Sequence, residues 1–178
     1  AADITDAEAV GAMVDQALGA WGQVDILVNN AGDIRDSLIA KMSEEAWDWV
    51  LDLNLKGSFL CTRAVAPHMI ERTSGRIVNL SSLAYKGNIG QANYVAAKSG
   101  IVGLTQASGL EFARYGISVN CVAPGLIDTP KTDTLDEATR ERLVRLTPMR
   151  RMGEIVDIAN AILFFVSDEA KYVTRQVI

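Results

Sequence analysis

The chain has 178 residues, 49% of them hydrophobic, with 17 Lys and Arg against 22 Asp and Glu and a net charge of -5. That length supports one domain with a sizeable core, and the composition excludes a disordered chain. The acidic balance argues against a nucleic-acid partner, which would favour a basic surface, and no apolar run has the length of a membrane span.

Thr5-Asp6-Ala7-Glu8 fits a capping box, with Thr5 as cap and Glu8 reaching back. It predicts a helix from about Asp6 to Ala20, with Val10, Met13, Val14 and Leu18 on one face and Gly22 as its end. Val24 to Asn29 is short, apolar and β-branched, the pattern of a strand buried on both faces. A long helix is predicted from near Ser43 to Met69 and Ile70, followed by a second strand over Arg76 to Leu80. A second long helix runs from Gln91 to Arg114, closed by Gly116 as a left-handed cap. The third strand, Ile117 to Val122, is halted by Pro124-Gly125. The polar, Thr-rich stretch from Asp128 to Arg140 reads as a mobile loop or lid, and Ile155 to Val166 as a last apolar helix. No repeat, low-complexity tract or linker interrupts this order, so residues 1–178 are expected to form a single domain.

Strands and helices alternating at this spacing predict parallel strands with helical crossovers, hence an open α/β sheet. Ligands of such sheets lie beyond the carboxyl ends of the strands. Asn29-Asn30, Ser81-Ser82 and Pro124-Gly125 all fall at those ends. Cys61 and Cys121 have neither close spacing nor a paired His, and read as buried thiols of a reducing compartment. The lone His68 reads as a helix-end or surface residue. The opening Ala-Ala-Asp-Ile-Thr-Asp lacks the pattern of a signal peptide, and a cytoplasmic location is expected.

Tyr94 and Lys98 stand four residues apart on a predicted helix and so share a face. A free tyrosine, with a pKa of about 10, is a poor base at neutral pH. A nearby ammonium favours the phenolate and brings the group towards the range that general acid–base work needs. Ser82 sits at a strand end just before this helix, where its hydroxyl could hold or donate to a substrate oxygen. Tyr-x-x-x-Lys alone is usually a solvated pair, and Ser-Ser alone a loop start; the argument is their convergence at one sheet edge. The small residues of Asn29-Asn30-Ala31-Gly32 let a flat ligand approach the backbone, and would equally serve a tight turn. Asn54, unfavourable in mid-helix, reads either as a surface residue or as a kink that frees a backbone carbonyl for a water chain. Asp128-Thr129 either caps its loop or meets a ligand amide.

Together these residues resemble the short-chain dehydrogenase/reductase family. The motifs are Asn29-Asn30-Ala31-Gly32, Asn54 in Asn-Leu-Lys-Gly, Ser82, Tyr94-Val-Ala-Ala-Lys98 and Pro124-Gly125, in the family's order. Asp25-Ile-Leu-Val-Asn-Asn-Ala-Gly, Gly90-Gln-Ala-Asn-Tyr94 and Ile117-Ser-Val-Asn-Cys-Val-Ala-Pro-Gly125 look most like the 3-oxoacyl-[acyl-carrier-protein] reductases. The resemblance implies a Rossmann-type doubly wound parallel sheet and an enzyme using NADP or NAD. It implies that Tyr94 protonates the carbonyl oxygen during reduction, that Lys98 lowers its pKa and bonds the nicotinamide ribose, that Ser82 orients the substrate oxygen, and that Asn54 holds a water linking Lys98 to solvent. Asp3 and Ile4 look like the adenine site, Asn29, Ala31 and Gly32 like the adenosine ribose side, and Ile127 and Thr129, after Pro124 and Gly125, like the clamp on the carboxamide.

The same resemblance implies a small-molecule or acyl-carrier-bound substrate, with no metal, and a homotetramer packed through the two long helices, which carry Trp47, Trp49, Leu104, Leu110 and Phe112. Arg72 and Arg114 are candidates for meeting an acidic carrier, or are ordinary solvated charges. The family's N-terminal βαβ portion with its glycine-rich turn is absent from this sequence, as is the final Asp-Gly-Gly, so the chain is expected to be part of a longer enzyme. Ser82 precedes Tyr94 by 12 residues, one fewer than the commonest spacing, which leaves Ser81 as the alternative serine. Arg175 stands where the family has glycine, and would be strained if that position needs positive φ. Two other functions fit less well: a dehydrogenase of a small alcohol, sugar or steroid, and a non-catalytic truncated oligomerisation subunit.

Overall fold

A computed structural model describes residues 1–130 and 132–178. Helix α1, Ala7–Trp21, is capped by Asp6, whose side chain accepts from the Glu8 N–H. The expected cap, Thr5, is engaged elsewhere: its N–H and hydroxyl both donate to Asp3 Oδ1, at 2.9 and 2.8 Å, so its oxygen is not turned to the helix. Gly22 closes α1 at φ 78, in the left-handed region that glycine enters without cost.

Strands β1 (Ile26–Asn29), β2 (Gly75–Leu80) and β3 (Ile117–Val122) pair in parallel in the order β1-β2-β3. The register sets Asn29 against Asn79 and Leu80 against Val122, so the carboxyl ends of the strands are level. The chain's last residues run beside β3, with the Cys121 N–H donating to Gln176 O at 2.8 Å and the Ile178 N–H to Cys121 O at 3.1 Å.

Helices cover both faces, as a doubly wound sheet requires. On one face Val14 of α1, Val65 and Met69 of α3 (Gly57–Arg72) and Phe112 of α4 (Ala92–Phe112) close over Ile77, Ile117 and Val119. On the other, Phe165 of α6 (Ile155–Val166) packs on Val78, Leu80 and Val122. β1 departs from the expected two-sided burial. Leu27 and Asn29 face the helices, but Ile26 and Val28 are 46% and 38% exposed, because α6 lies over β2 and β3 only.

The long helix expected from Ser43 is interrupted. It consists of α2 (Glu44–Leu51), a π-helical segment (Asp52–Lys56) and α3. π-bulges of this kind are frequent at functional sites. A Cβ at Gly57 would come 2.6 Å from Ile4 Cδ1 and 3.3 Å from Ile4 O, so glycine lets the opening segment cross the start of α3 without displacing the Ile4 side chain. The stretch read as a loop or lid is partly regular: a 3₁₀ turn at Thr132–Thr134, then α5 (Glu137–Leu146). Asp136 caps α5 through the Thr139 N–H, and the residues behind it are strong helix formers that polarity alone concealed.

Cys61 and Cys121 are free and buried, and His68 lies half-buried one turn before the end of α3. Arg175 does adopt positive φ, at 64°, held there by its N–H on Val119 O (2.7 Å) and its carbonyl under Gln106 Nε2 (2.7 Å). Among the described residues no helix is long and apolar enough to cross a membrane.

Candidate active site

The carboxyl ends of β2 and β3 open into a cleft of about 990 Å³ whose walls include Gly32, Ser82, Tyr94, Lys98, Gly125 and Ile127. Lys98, one turn after Tyr94 on α4, is 4% exposed. Its Nζ donates to Leu80 O at 2.8 Å and lies 5.4 Å from the centroid of the Tyr94 ring. Burial lowers the Lys98 pKa from 10.5 to about 8, with Cys121 opposing.

The structure separates the two serines. Ser81 is buried and its hydroxyl donates to Lys98 O at 2.8 Å, a bond within the scaffold. Ser82 begins the turn Leu83–Lys86, its hydroxyl oxygen accepting from the Ala84 N–H at 3.2 Å, and lies close enough to the Tyr94 phenol to act on its pKa. That phenol departs from the expectation that Lys98 lowers its pKa. Burial raises it above the usual tyrosine value, Ser82 eases it, and the charges of Asp33 and Asp36 raise it further. The ammonium is turned to the Leu80 carbonyl, and the two carboxylates come from the strap after β1. A raised phenol is a protonated one at neutral pH, a form suited to giving a proton.

Asn54 is fully buried, not a surface residue. Its Nδ2 donates to Asp33 O (2.8 Å) and Val50 O (2.9 Å). Its backbone carbonyl is not free, because the Ser58 hydroxyl donates to it at 2.8 Å. The orphan is Oδ1, buried with no partner and directed at Gly32. A Cβ at position 32 would come 2.4 Å from this oxygen and 3.4 Å from Lys98 Nζ. Glycine thus lets the chain after β1 pack directly against the Asn54 amide and the Lys98 ammonium.

The remaining candidates divide between two hollows. Ile127, bridged to Gly153, and Thr129, whose N–H donates to Thr132 Oγ1 at 2.8 Å, border the large cleft with Pro124 and Gly125. Ile4, Asn29 and Ala31 line a smaller hollow of about 230 Å³ on the other side of the Asn29–Gly32 segment. The Asn29 side chain is committed inward, donating to Thr62 Oγ1 (3.1 Å) and Asn79 Oδ1 (2.8 Å), so only its backbone is left for a ligand. Asp3 is exposed nearby, its carboxyl held below the usual range by the Thr5 N–H and hydroxyl. The two hollows share Asn30 in their linings, an arrangement that suits an elongated cofactor.

Arg72 and Arg114 do not face the cleft. Arg72 donates to Val24 O at 3.0 Å and pairs with Asp25 at 3.3 Å, at the amino ends of the strands. Arg114 stacks on Tyr115 (4.6 Å) just before β3, at the same far edge. Of the apolar residues expected at subunit contacts, Phe112 belongs to the core while Leu110 is 66% exposed. The residues passed over were Asp36, Gln91 and Asn93, which stitch the strap after β1 to the start of α4, and Asp33, whose charge acts on Tyr94. The available signal was Asn93 in the first helical turn, where N–H groups lack intrahelical partners.

A sequence profile described as Enoyl-(Acyl carrier protein) reductase matches residues 1–178. The chain belongs to the short-chain dehydrogenase/reductase family. As a short-chain dehydrogenase/reductase it is an NAD(P)-dependent oxidoreductase. It is 50% identical over 177 residues to (2S)-[(R)-hydroxy(phenyl)methyl]succinyl-CoA dehydrogenase subunit BbsD of Thauera aromatica, covering 99% of this chain and 71% of that one. It is 47% identical over 178 residues to the 3-oxoacyl-[acyl-carrier-protein] reductase FabG of Staphylococcus aureus, covering 99% and 72%. The FabG of Thermotoga maritima is 45% identical over 177 residues, with 99% and 72% covered.

Proposed function

We propose that this short-chain dehydrogenase/reductase reduces the 3-oxo group of an acyl thioester, with Tyr94 as the proton donor. The observation that carries the reading is that Ser82, Tyr94 and Lys98 line one cleft, with the buried Lys98 Nζ 5.4 Å from the Tyr94 ring. The substrate carbonyl oxygen is received by the Ser82 hydroxyl and the Tyr94 phenol. The phenol, kept protonated by burial, gives its proton to that oxygen as negative charge develops on it. Lys98, charged below pH 8, stabilises the phenolate that remains. The orphaned Asn54 Oδ1 holds a water on the path by which Tyr94 and Lys98 recover the proton.

NADP or NAD, when bound, supplies the hydride to the carbonyl carbon. Gly32, Tyr94, Lys98, Pro124, Gly125, Ile127 and Thr129 would hold its nicotinamide half; Asp3, Ile4, Ala31 and the Asn29 backbone would hold its adenosine half. The thioester class is supported by the relatives, one named for an acyl-CoA and the others for acyl-carrier-protein substrates. Exposed Phe59 and Leu110, on α3 and α4, support assembly into a homotetramer, which light scattering would check. The free thiols Cys61 and Cys121 suit a reducing, cytoplasmic setting.

The test is reduction of acetoacetyl-CoA, followed at 340 nm with NADPH and with NADH. Tyr94→Phe is expected to lower turnover at least about a hundredfold while cofactor affinity stays within about twofold. Full turnover in that variant, or no reduction by the parent with either cofactor, overturns the proposal.

A further inference from the structure

Two buried asparagines grip the same strap of chain. Asn54, in the π-helical segment, donates to Asp33 O and to Val50 O of α2. Asn93, fully buried at the start of α4, donates to Arg35 O (2.9 Å) and to Ala46 O of α2 (3.1 Å). The acceptors are spaced alike: alternate residues along the strap, and successive turns of α2. The Asn93 side chain has one group left, Oδ1, and it accepts from the N–H of Tyr94 at 2.8 Å. That N–H lies in the first helical turn, and the Gln91 cap makes no side-chain bond to serve it.

We propose that Asn93 is a positioning residue, a three-way amide pin that holds Tyr94 in register with Asn54 and with the strap between residues 33 and 37. The inference rests on the reading of Tyr94 as proton donor. Further stitches run the same way: the Ser37 N–H donates to Gly90 O at 2.8 Å, and Gln91 Nε2 to both Asp36 carboxylate oxygens at 3.1 and 3.0 Å. The charged and polar groups around Tyr94 are Asp33 and Asp36 from the strap, Lys98 from its own helix and Ser82 from the end of β2, with Cys121 of β3 behind Lys98. Asn93 therefore sets both where the phenol stands and how near the two carboxylates come. Loosening the pin lets the strap recede and water enter. Both changes make the phenol easier to ionise.

Asn93→Ala and Asn93→Ser are measured in the same protein. The serine keeps an oxygen near the Tyr94 N–H but cannot reach both carbonyls. The first readout is the ultraviolet titration of Tyr94, taken against the corresponding Tyr94→Phe proteins without substrate. The second is the split between kcat and KM for acetoacetyl-CoA. The phenol midpoint is expected to move to lower pH in both variants, more in alanine than in serine. The expected fall in kcat is about ten- to a hundredfold, with KM within about threefold, because a small misplacement of a reacting group acts on the chemical step. A folded alanine variant with unchanged titration and kcat overturns the proposal. If alanine does not fold, the serine variant decides by the same two readouts. If neither folds, Asn93 is a pin of the fold alone and the proposal is also overturned. Because the titration needs no substrate, a parent that ignores acetoacetyl-CoA sinks the thioester reading without touching this one.

Discussion

Replacing Gly32 by alanine puts a methyl carbon 2.4 Å from Asn54 Oδ1, 3.3 Å from its Cγ and 3.4 Å from Lys98 Nζ. Gly32 is not among the positive-φ glycines, so alanine adds no backbone strain and the collision is isolated. Asn54 is fully buried and its amide is tied at 2.8 and 2.9 Å to two carbonyls, so it yields only by stretching those bonds. Overpacking of this kind costs about 1–3 kcal/mol. The entropy that alanine removes from the unfolded chain offsets about 0.4–1 kcal/mol. A net loss of about 1–2 kcal/mol lowers Tm by about 2–8 °C for a chain of this size. Turnover is expected to fall about ten- to a hundredfold, since the displaced amide also disturbs Lys98. Calorimetry and the 340 nm assay on the same preparation read both effects. Unchanged Tm and unchanged turnover would refute the crowding argument; a lowered Tm with full turnover would refute a functional role for the close approach of residue 32 to Asn54 and Lys98.

Ser82→Ala is expected to cost about a hundredfold in kcat, by loss of the group proposed to meet the substrate oxygen. Ser81→Ala should instead cost about 1 kcal/mol of stability, from the lost bond to Lys98 O, and far less turnover. The opposite ranking in steady-state kinetics would reassign the serine. Lys98→Met is expected to abolish most turnover yet melt higher than the parent at pH 7. Its folded pKa, about 8, lies below the unfolded 10.5, so between those values the unfolded chain binds more protons and the parent gains stability as pH rises. Below pH 8 the buried charge costs about 3 kcal/mol, partly offset by its bond to Leu80 O, and the gap between the two proteins should close towards pH 10.5. A gap independent of pH in melts from pH 7 to 10 would contradict this. Arg175→Gly should stabilise by about 0.5–1 kcal/mol, because Arg175 sits at φ 64 and its side chain makes no ion pair among the described residues. An unchanged or lowered Tm would show that the arginine stem over Gly109 outweighs the backbone strain.

The run Ile117–Val122 appears as a strand within its predicted bounds because all six residues are buried, so hydrophobicity alone marks it. The β1 run did not behave that way: its composition matches a two-sided strand, but which faces are covered depends on where α6 lands. The break at Asp52–Lys56 was visible only as an awkward asparagine, since a helix and a helix with one inserted residue have almost the same apolar pattern. Asp6 took the cap from Thr5 because Asp3 competed for the threonine, a local contest that a capping motif does not register.

Tyr94 and Lys98 share a face by helix geometry, and Ser82 stands at a strand end by the order of elements, so the sequence alone determines that these groups approach one another. What the groups are like once together was decided by the tertiary structure. The bond that commits Ser81 to the scaffold spans 17 residues, and those that tie Asn93 to its strap and to α2 span 58 and 47. The sign of the Tyr94 shift comes from burial and from Asp33 and Asp36, on a strap far away in the chain. Local spacing reports which side chains are neighbours along an element. Burial and charge report every element packed around them, and these exist only in the folded chain.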